Sequence, residues 1–345
     1  MTSVSMLLGG SNKTPAVVAG SESTPFIAAW PFADGFGTRY ADPASLPPNV
    51  GFAVSFTPNK QDLALANRNT AAPGVTVYNW GNPGFGSKYA DPATTPGVEC
   101  RGVSFSPLGT AIALAAQTTP FISAYPWTTG TGFGTKYSNP ATLPAGLGNA
   151  VHFSPSGADV AIGHNTTPFV TVYPFSSGFG TKYANAAGLT TNTVYGLAFS
   201  PSGTAMAWAH FSTPYLTAYP WTSGTGFGTK YTAPGTTPGL VGFNVTFSPS
   251  GADISFVSQD TPFVAAYPWG SGFGTKYSNP ATLPGASALG VGFDASGTNM
   301  LVSKQPVSSN SPIIAYPWTS GTGFGTKYAD PSSFPTGIGR SLALV

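Results

Sequence analysis

The sequence predicts an all-β chain folded as a seven-bladed β-propeller, and three observations carry that reading. The hexapeptide Gly-Phe-Gly-(Thr/Ser)-(Lys/Arg)-Tyr recurs seven times, starting at Gly35, Gly84, Gly132, Gly178, Gly226, Gly272 and Gly323. A segment ending in aromatics precedes each copy, as in Thr119–Trp127 (TPFISAYPW) and Thr261–Trp269 (TPFVAAYPW). A third landmark, Val-x-Phe-Ser-Pro-Ser-Gly or a relative of it, opens the unit at Val54, Val103, Val151, Leu197, Val245 and, in degraded form, Val291. Three landmarks in constant order over about 47 residues define one supersecondary unit repeated around a ring.

Each unit reads as four short antiparallel strands. In the fourth unit, Val151–Pro155 is rich in β-formers and closes on a Pro-Ser-Gly turn, and Ala158–His164 alternates with Val160 and Ile162 on one face. Pro168–Phe175 alternates likewise, with Pro174 expected to end the third strand because proline donates nothing to a ladder. The hexapeptide is the fourth strand. No segment shows a 3.6-residue period. An open solenoid of such units needs polar caps at both ends, and neither terminus supplies one, so the ring closes on itself as a single domain spanning residues 1–345. Phe334–Val345 follows the pattern of Leu143–Phe153, which makes Leu342–Leu344 the first strand of a blade completed by Pro15–Tyr40. Ser3–Leu8 also reads as a strand and competes for that place.

The composition agrees with a turn-rich β protein. Only 7% of the 345 residues are charged, while 41% are hydrophobic and 13% aromatic, more than a disordered chain carries. The 44 glycines and 34 prolines then count as turn residues. A net charge of +2 gives no basic face for nucleic acid. No run of roughly 18 apolar residues exists to form a transmembrane helix or insert in a membrane. The first ten residues lack a basic region, so no secretory signal is expected. Cys100, the single cysteine, allows no intrachain disulfide and reads as a small core residue.

The Phe-Ser-Pro-Ser-Gly turn after the first strand, and a third strand ending in aromatics, resemble WD40-type propellers. The Gly-His dipeptide of those blades is missing and Tyr-Pro-Trp stands in place of Trp-Asp, so their polar tetrad does not carry over. The sparse charge and the Gly, Thr, Ser and Pro richness resemble proteins of bacteriophage particles. That resemblance implies synthesis in the cytoplasm without a signal peptide, residence in a virion or extracellular assembly, and other virion proteins as partners.

Residues that carry chemistry are scarce. Histidine occurs only at 152, 164 and 210, and glutamate only at 22 and 99. His164 and His210 occupy equivalent places that hold Ser21, Ala116 and Ser258 in other units, which reads as a variable loop position. Asp42, Asp91 and Asp330 alternate with Asn139, Asn185 and Asn279 after the hexapeptide, as turn caps do. No phosphate loop or nucleophile elbow is present. The expectation is therefore no metal, no cofactor and no enzyme, but a non-catalytic binding platform of a particle. The alternative is a lectin-like adhesin holding cell-surface glycans in repeated aromatic pockets formed by residues such as Tyr125, Trp127, Phe133 and Tyr137.

Two sets of residues are candidates for contact with a partner. Arg39, Lys88, Lys136, Lys182, Lys230, Lys276 and Lys327 share one repeat position and form a basic rim, which either protects strand edges or meets an anionic partner. Arg101, Asn67, Arg68, His164, His210 and Lys304 mark departures from the repeat on the face where the units are joined, where an asymmetric interaction belongs.

Overall fold

Short apolar strands between Gly and Pro turns bury both faces only when sheets stack side by side, and a ring of sheets leaves no open end. The computed structural model describes residues 15–344 apart from 70–72, 82–83, 190–191, 238, 306–310, 336 and 338. It is all-β, with seven antiparallel blades around a channel. The inner strands are Gly51–Phe56, Cys100–Phe105, Gly148–Phe153, Val194–Phe199, Gly242–Phe247, Ala288–Phe293 and Gly339–Leu344, each packed against the next around the ring. The second strand of every blade is buried along its whole length.

The ring closes as the repeat predicts. Gly339–Leu344 pairs antiparallel with Ala16–Ser21 and becomes the inner strand of blade one, while Ser3–Leu8 lies outside the described residues. The Lys60 ammonium, in the inner turn of blade two, donates to the carbonyl of Leu344 at 3.1 Å and ties the closing strand to its neighbour.

The outer strand is shorter than the hexapeptide. It is Gly84–Lys88 in blade two, two residues in blades three, five and seven, and a single bridge in blades one, four and six. The tyrosine leaves the sheet to lie against the next blade, so the rim cation follows the strand in all blades but the second. Pro174 ends its strand as expected, but Pro126, Pro220 and Pro317 lie within strands that run on to a threonine. Each of these prolines offers its carbonyl instead, to Gly134, Gly228 and Gly325.

Each joint between blades holds its own apolar cluster, seven in all. The aromatic after the third-strand proline is the wedge. Trp127 lies 5.3 Å from Phe105 of its inner strand, 5.1 Å from its hexapeptide Phe133 and 5.0 Å from Tyr89 of the preceding blade, all edge-on. Edge-to-face rings at this spacing add about 0.5–1.5 kcal/mol per pair beyond area burial. The connecting loops are clipped down as well. Tyr78, Tyr125, Tyr173, Tyr267 and Tyr316 each donate a buried hydroxyl to a carbonyl of the loop entering their blade, and the Trp30 indole does so in blade one.

Three joints carry a polar staple of this chain's own making. Asp62, Asp159 and Asp253, fully buried at the start of a second strand, accept from the hexapeptide tyrosine of their own blade and from the Trp indole of the next. The same tyrosine hydroxyl accepts from the backbone N–H of Gly130, Gly224 or Gly321, supplied by a longer turn in blades three, five and seven. Asp159→Ala would leave a buried phenol and a buried indole N–H without their acceptor. Chemical denaturation should show a loss of about 2–4 kcal/mol, against under about 1 for the equivalent Ala111→Ser, where no staple exists.

Candidate functional site

Every inner strand carries its bulge at its second residue, so that side chain turns out of the ladder at the mouth of the channel. Around the ring these second residues are Phe52, Arg101, Asn149, Tyr195, Phe243, Leu289 and Arg340. Together with Arg68 they line a pocket of about 190 Å³, continuous with a channel cavity of about 270 Å³ that shares seven of its lining residues. Along these strands the fourth and sixth residues keep the repeat, Val or Leu and then Phe or Leu, whereas the mouth position holds Phe, Arg, Asn, Tyr and Leu.

The mouth concentrates charge that the rest of the chain lacks. The guanidinium carbons of Arg68, Arg101 and Arg340 lie 5.7, 5.5 and 5.6 Å from the centre of the Phe52 ring. Glu99 accepts from Arg101 Nε at 2.8 Å and pairs with Arg68 at 3.4 Å, while Glu22 pairs with Arg340. Three of the chain's four arginines and both its glutamates meet at one opening, leaving one positive charge in excess. Burial lowers the Arg340 pKa, and its Nε has no partner. Each guanidinium gives part of its N–H edge to a glutamate, and the ring face leaves the remaining N–H groups for an anion.

Deeper in the channel stand His152, Thr246 and Ser341. The His152 imidazole stacks on Phe199 at 6.2 Å, and its Nδ1 has no partner, nor has Ser341 Oγ. Burial pushes the His152 pKa down to about 4, so the ring is a neutral acceptor at physiological pH. The groove is narrow because the third residue of each inner strand is small. A Cβ on Gly102 would sit 2.8 Å from the backbone nitrogen of Val151, closer than atoms pack.

Of the residues expected on the interaction face, Arg101 and Arg68 are at the mouth. Asn67, His164, His210 and Lys304 are not on a surface at all. They end second strands and are buried, as are their equivalents Ser21, Ala116 and Ser258. The position varies because its side chain is satisfied inside: Asn67 donates to Thr76, and His164 and His210 meet Thr171 and Thr217 at 3.0 Å. The sequence reading missed Phe52, Asn149, Tyr195, Phe243, Leu289 and Arg340. Their signal was available, two residues before each Val-x-Phe landmark, where the repeat loses its consensus.

The basic rim is mostly neutralised within its own turns. Arg39, Lys88 and Lys327 pair with Asp42, Asp91 and Asp330, and Lys136, Lys182 and Lys276 donate to Asn139, Asn185 and Asn279. The Asp and Asn residues expected as turn caps thus hold the rim cations. Among the described residues no three His, Cys, Asp or Glu side chains converge. Cys100 is buried and burial raises its pKa.

Burial also lowers the His164 and His210 pKa values to about 4. The unfolded chain takes up these protons near pH 6.5 and the folded chain only near 4, so stability falls as pH drops between those values. Thermal melts should fall steeply from pH 7 to 4.5, by on the order of 3 kcal/mol per histidine at the limit. His210→Gln should flatten that dependence, and an unchanged slope would show that these histidines are protonated in the fold.

No family model matches the chain, and no curated protein is similar to it in sequence. Solved structures are. A protein of Bacteroides uniformis provisionally named a 6-phosphogluconolactonase superposes with TM-score 0.71 at 14% identity, covering 96% of this chain and 99% of its own. A Bacteroides fragilis protein with the same provisional name gives TM-score 0.69 at 14% identity, with 97% and 99% covered. Hydrazine synthase of Kuenenia stuttgartiensis gives 0.61 at 11%, with 84% and 88% covered. These likenesses show the propeller fold. They also correct the expectation of a non-catalytic particle component, whether virion platform or adhesin, and with it the expectation of no enzyme. Propellers similar over nearly the whole chain carry enzyme names, so scarce charge does not argue against catalysis. That expectation weighed the scarcity of catalytic residue types and the likeness of the blades, with almost no such residues in the inner strands. The structure gathers Arg68, Arg101, Arg340, Glu22 and Glu99 at the channel mouth.

Proposed function

We propose that the channel mouth binds a small anionic sugar derivative and opens its lactone ring, the activity named for the two Bacteroides propellers. The observation that supports this reading is the set of three guanidiniums fixed on Phe52 at the mouth of a channel lined in part by Asn149, His152, Thr246 and Ser341. An arginine fork matches a phosphate or carboxylate bidentately, and Tyr195 and Phe243 offer ring faces to the apolar side of a sugar. In the reaction, water adds to the lactone carbonyl, the ring C–O bond breaks, and a hydroxy carboxylate and a proton are released. A guanidinium N–H stabilises the oxyanion, and the neutral His152 imidazole stands deeper in the same cavity as the one described histidine able to take a proton there.

The test is pH-stat hydrolysis of 6-phosphogluconolactone together with calorimetric binding of 6-phosphogluconate. Arg101→Ala and Arg340→Ala should each weaken binding by about 10-fold or more, a loss of about 1.4 kcal/mol. His152→Gln should lower kcat with little effect on the affinity for the acid. With His152 as acceptor, the rate should hold from pH 8 down to about 5 and fall as pH approaches 4. Hydrolysis at the uncatalysed rate, with no binding of the acid, would refute the reading.

A further inference from the structure

The joint between blades five and six departs from its neighbours in two independent ways. At the place of Asp62, Asp159 and Asp253, blade five has Ala205, so the indole of Trp269 meets no carboxylate from the preceding blade. Neither its N–H nor the Tyr231 hydroxyl has a hydrogen-bond partner among the described residues. The short Gly270-Ser271 turn also leaves this ring partly uncovered, whereas Trp80, Trp127, Trp221 and Trp318 are only 2, 3, 2 and 3% exposed. Secondly, Lys230 is the one rim cation without an Asp or Asn three residues on. Ala233 stands there, and among the described residues the ammonium hydrogen-bonds only the Gly188 carbonyl, at 3.5 Å.

Both departures open onto the same groove. It encloses about 840 Å³ and is lined by Lys230, Tyr231, Trp269 and Phe273, with glycines at 235 and 270 contributing no side chain. Lys230, Tyr231 and Trp269, each carrying a donor, line this space together with Phe273, and no carboxylate lines it. At the stapled joints the same indole and phenol groups hold an aspartate. We propose that this groove binds a carboxylate carried on a six-membered ring with an apolar face, which supplies from outside the acceptor that blade five lacks. The carboxylate meets the Lys230 ammonium and the ring lies against the aromatic wall. The site is separate from the channel mouth and does not rest on the lactonase reading.

A uronic acid and an aromatic acid share this chemistry, so the full-length protein is titrated with glucuronate and with benzoate. Glucose and benzamide are the neutral controls, and saturation-transfer NMR and calorimetry are the readouts. At least one acid should bind below about 10 mM and its neutral control should not. Binding of glucuronate alone identifies a sugar acid, and binding of benzoate alone an aromatic one. Lys230→Ala and Ala233→Asp should each weaken it at least about fivefold, the second by giving Lys230 the partner that Lys327 has in Asp330. Ala233 is exposed, so this variant keeps the fold. Lys276→Ala, at the capped rim position of the next blade, and Arg101→Ala should leave binding unchanged. The proposal is overturned if neither acid binds, if the neutral rings bind equally, or if Lys230→Ala and Ala233→Asp titrate like the native chain. Loss in Arg101→Ala alone would place the acid at the channel mouth and equally overturn it.

Discussion

A propeller joint must be thin at the axis and thick at the rim, and the packing of this chain follows from that wedge. Near the axis the inner strands approach so closely that the third residue of each is Gly, Ala, Asn or Ser. A Cβ on Gly196 would lie 2.7 Å from the Phe243 carbonyl oxygen. Towards the rim the gap widens, and three or four aromatic rings fill it at each joint. The gradient from small to large residues outward fixes the blade angle. The connecting loops, clipped by buried tyrosines, add direction to it. A rigid ring with seven short strands around an open axis is the consequence.

The staples show that the repeat is not simply sevenfold. Asp and Ala alternate at the start of the second strand from blade two to blade six, and the long turn that meets each staple alternates with them. Alternation cannot close on an odd ring. It breaks where Asn299 precedes Phe32, whose ring has no N–H to donate, and where Ala16 precedes Trp80. The break falls at blade one, the blade assembled from both ends of the chain. Joint five–six lacks a staple within the alternating stretch yet keeps the tryptophan a staple would hold, which makes it different in kind from joint three–four, where Phe175 stands.

Most of the architecture was legible because repetition multiplies a weak signal. One four-strand reading of Val151–Tyr183 applies to seven units, and the copy of that pattern at the C-terminus announced the closing strand. Residues that close the wedge were legible as invariant aromatics. The site was only half legible. Arg68 and Arg101 stood out as irregularities, but Phe52 and Arg340 did not, because a bulge rather than a sequence motif turns them into the channel. Lys304 and His210 misled for the converse reason. A polar residue that varies between repeats looks like surface, yet both are buried at the end of a second strand, where His210 meets Thr217. The staples were hidden too, since Asp159 and Trp221 lie in different blades and are brought together only when adjacent blades stack.

The likeness to propellers with enzyme names places no residue, so the functional account stands on the convergence of charge at one mouth of the channel. Its seven mouth positions hold five residue types, Phe and Arg twice each, while the strands behind them keep their apolar repeat, which is how a symmetric scaffold acquires an asymmetric site. The most direct test is a crystal structure of the protein soaked in 6-phosphogluconate. The account predicts density for the anion at the mouth, with its phosphate or carboxylate in contact with Arg101 and Arg340 and its sugar carbons over the channel. Density confined to the rim lysines, or a mouth that holds only solvent at saturating ligand, would contradict it.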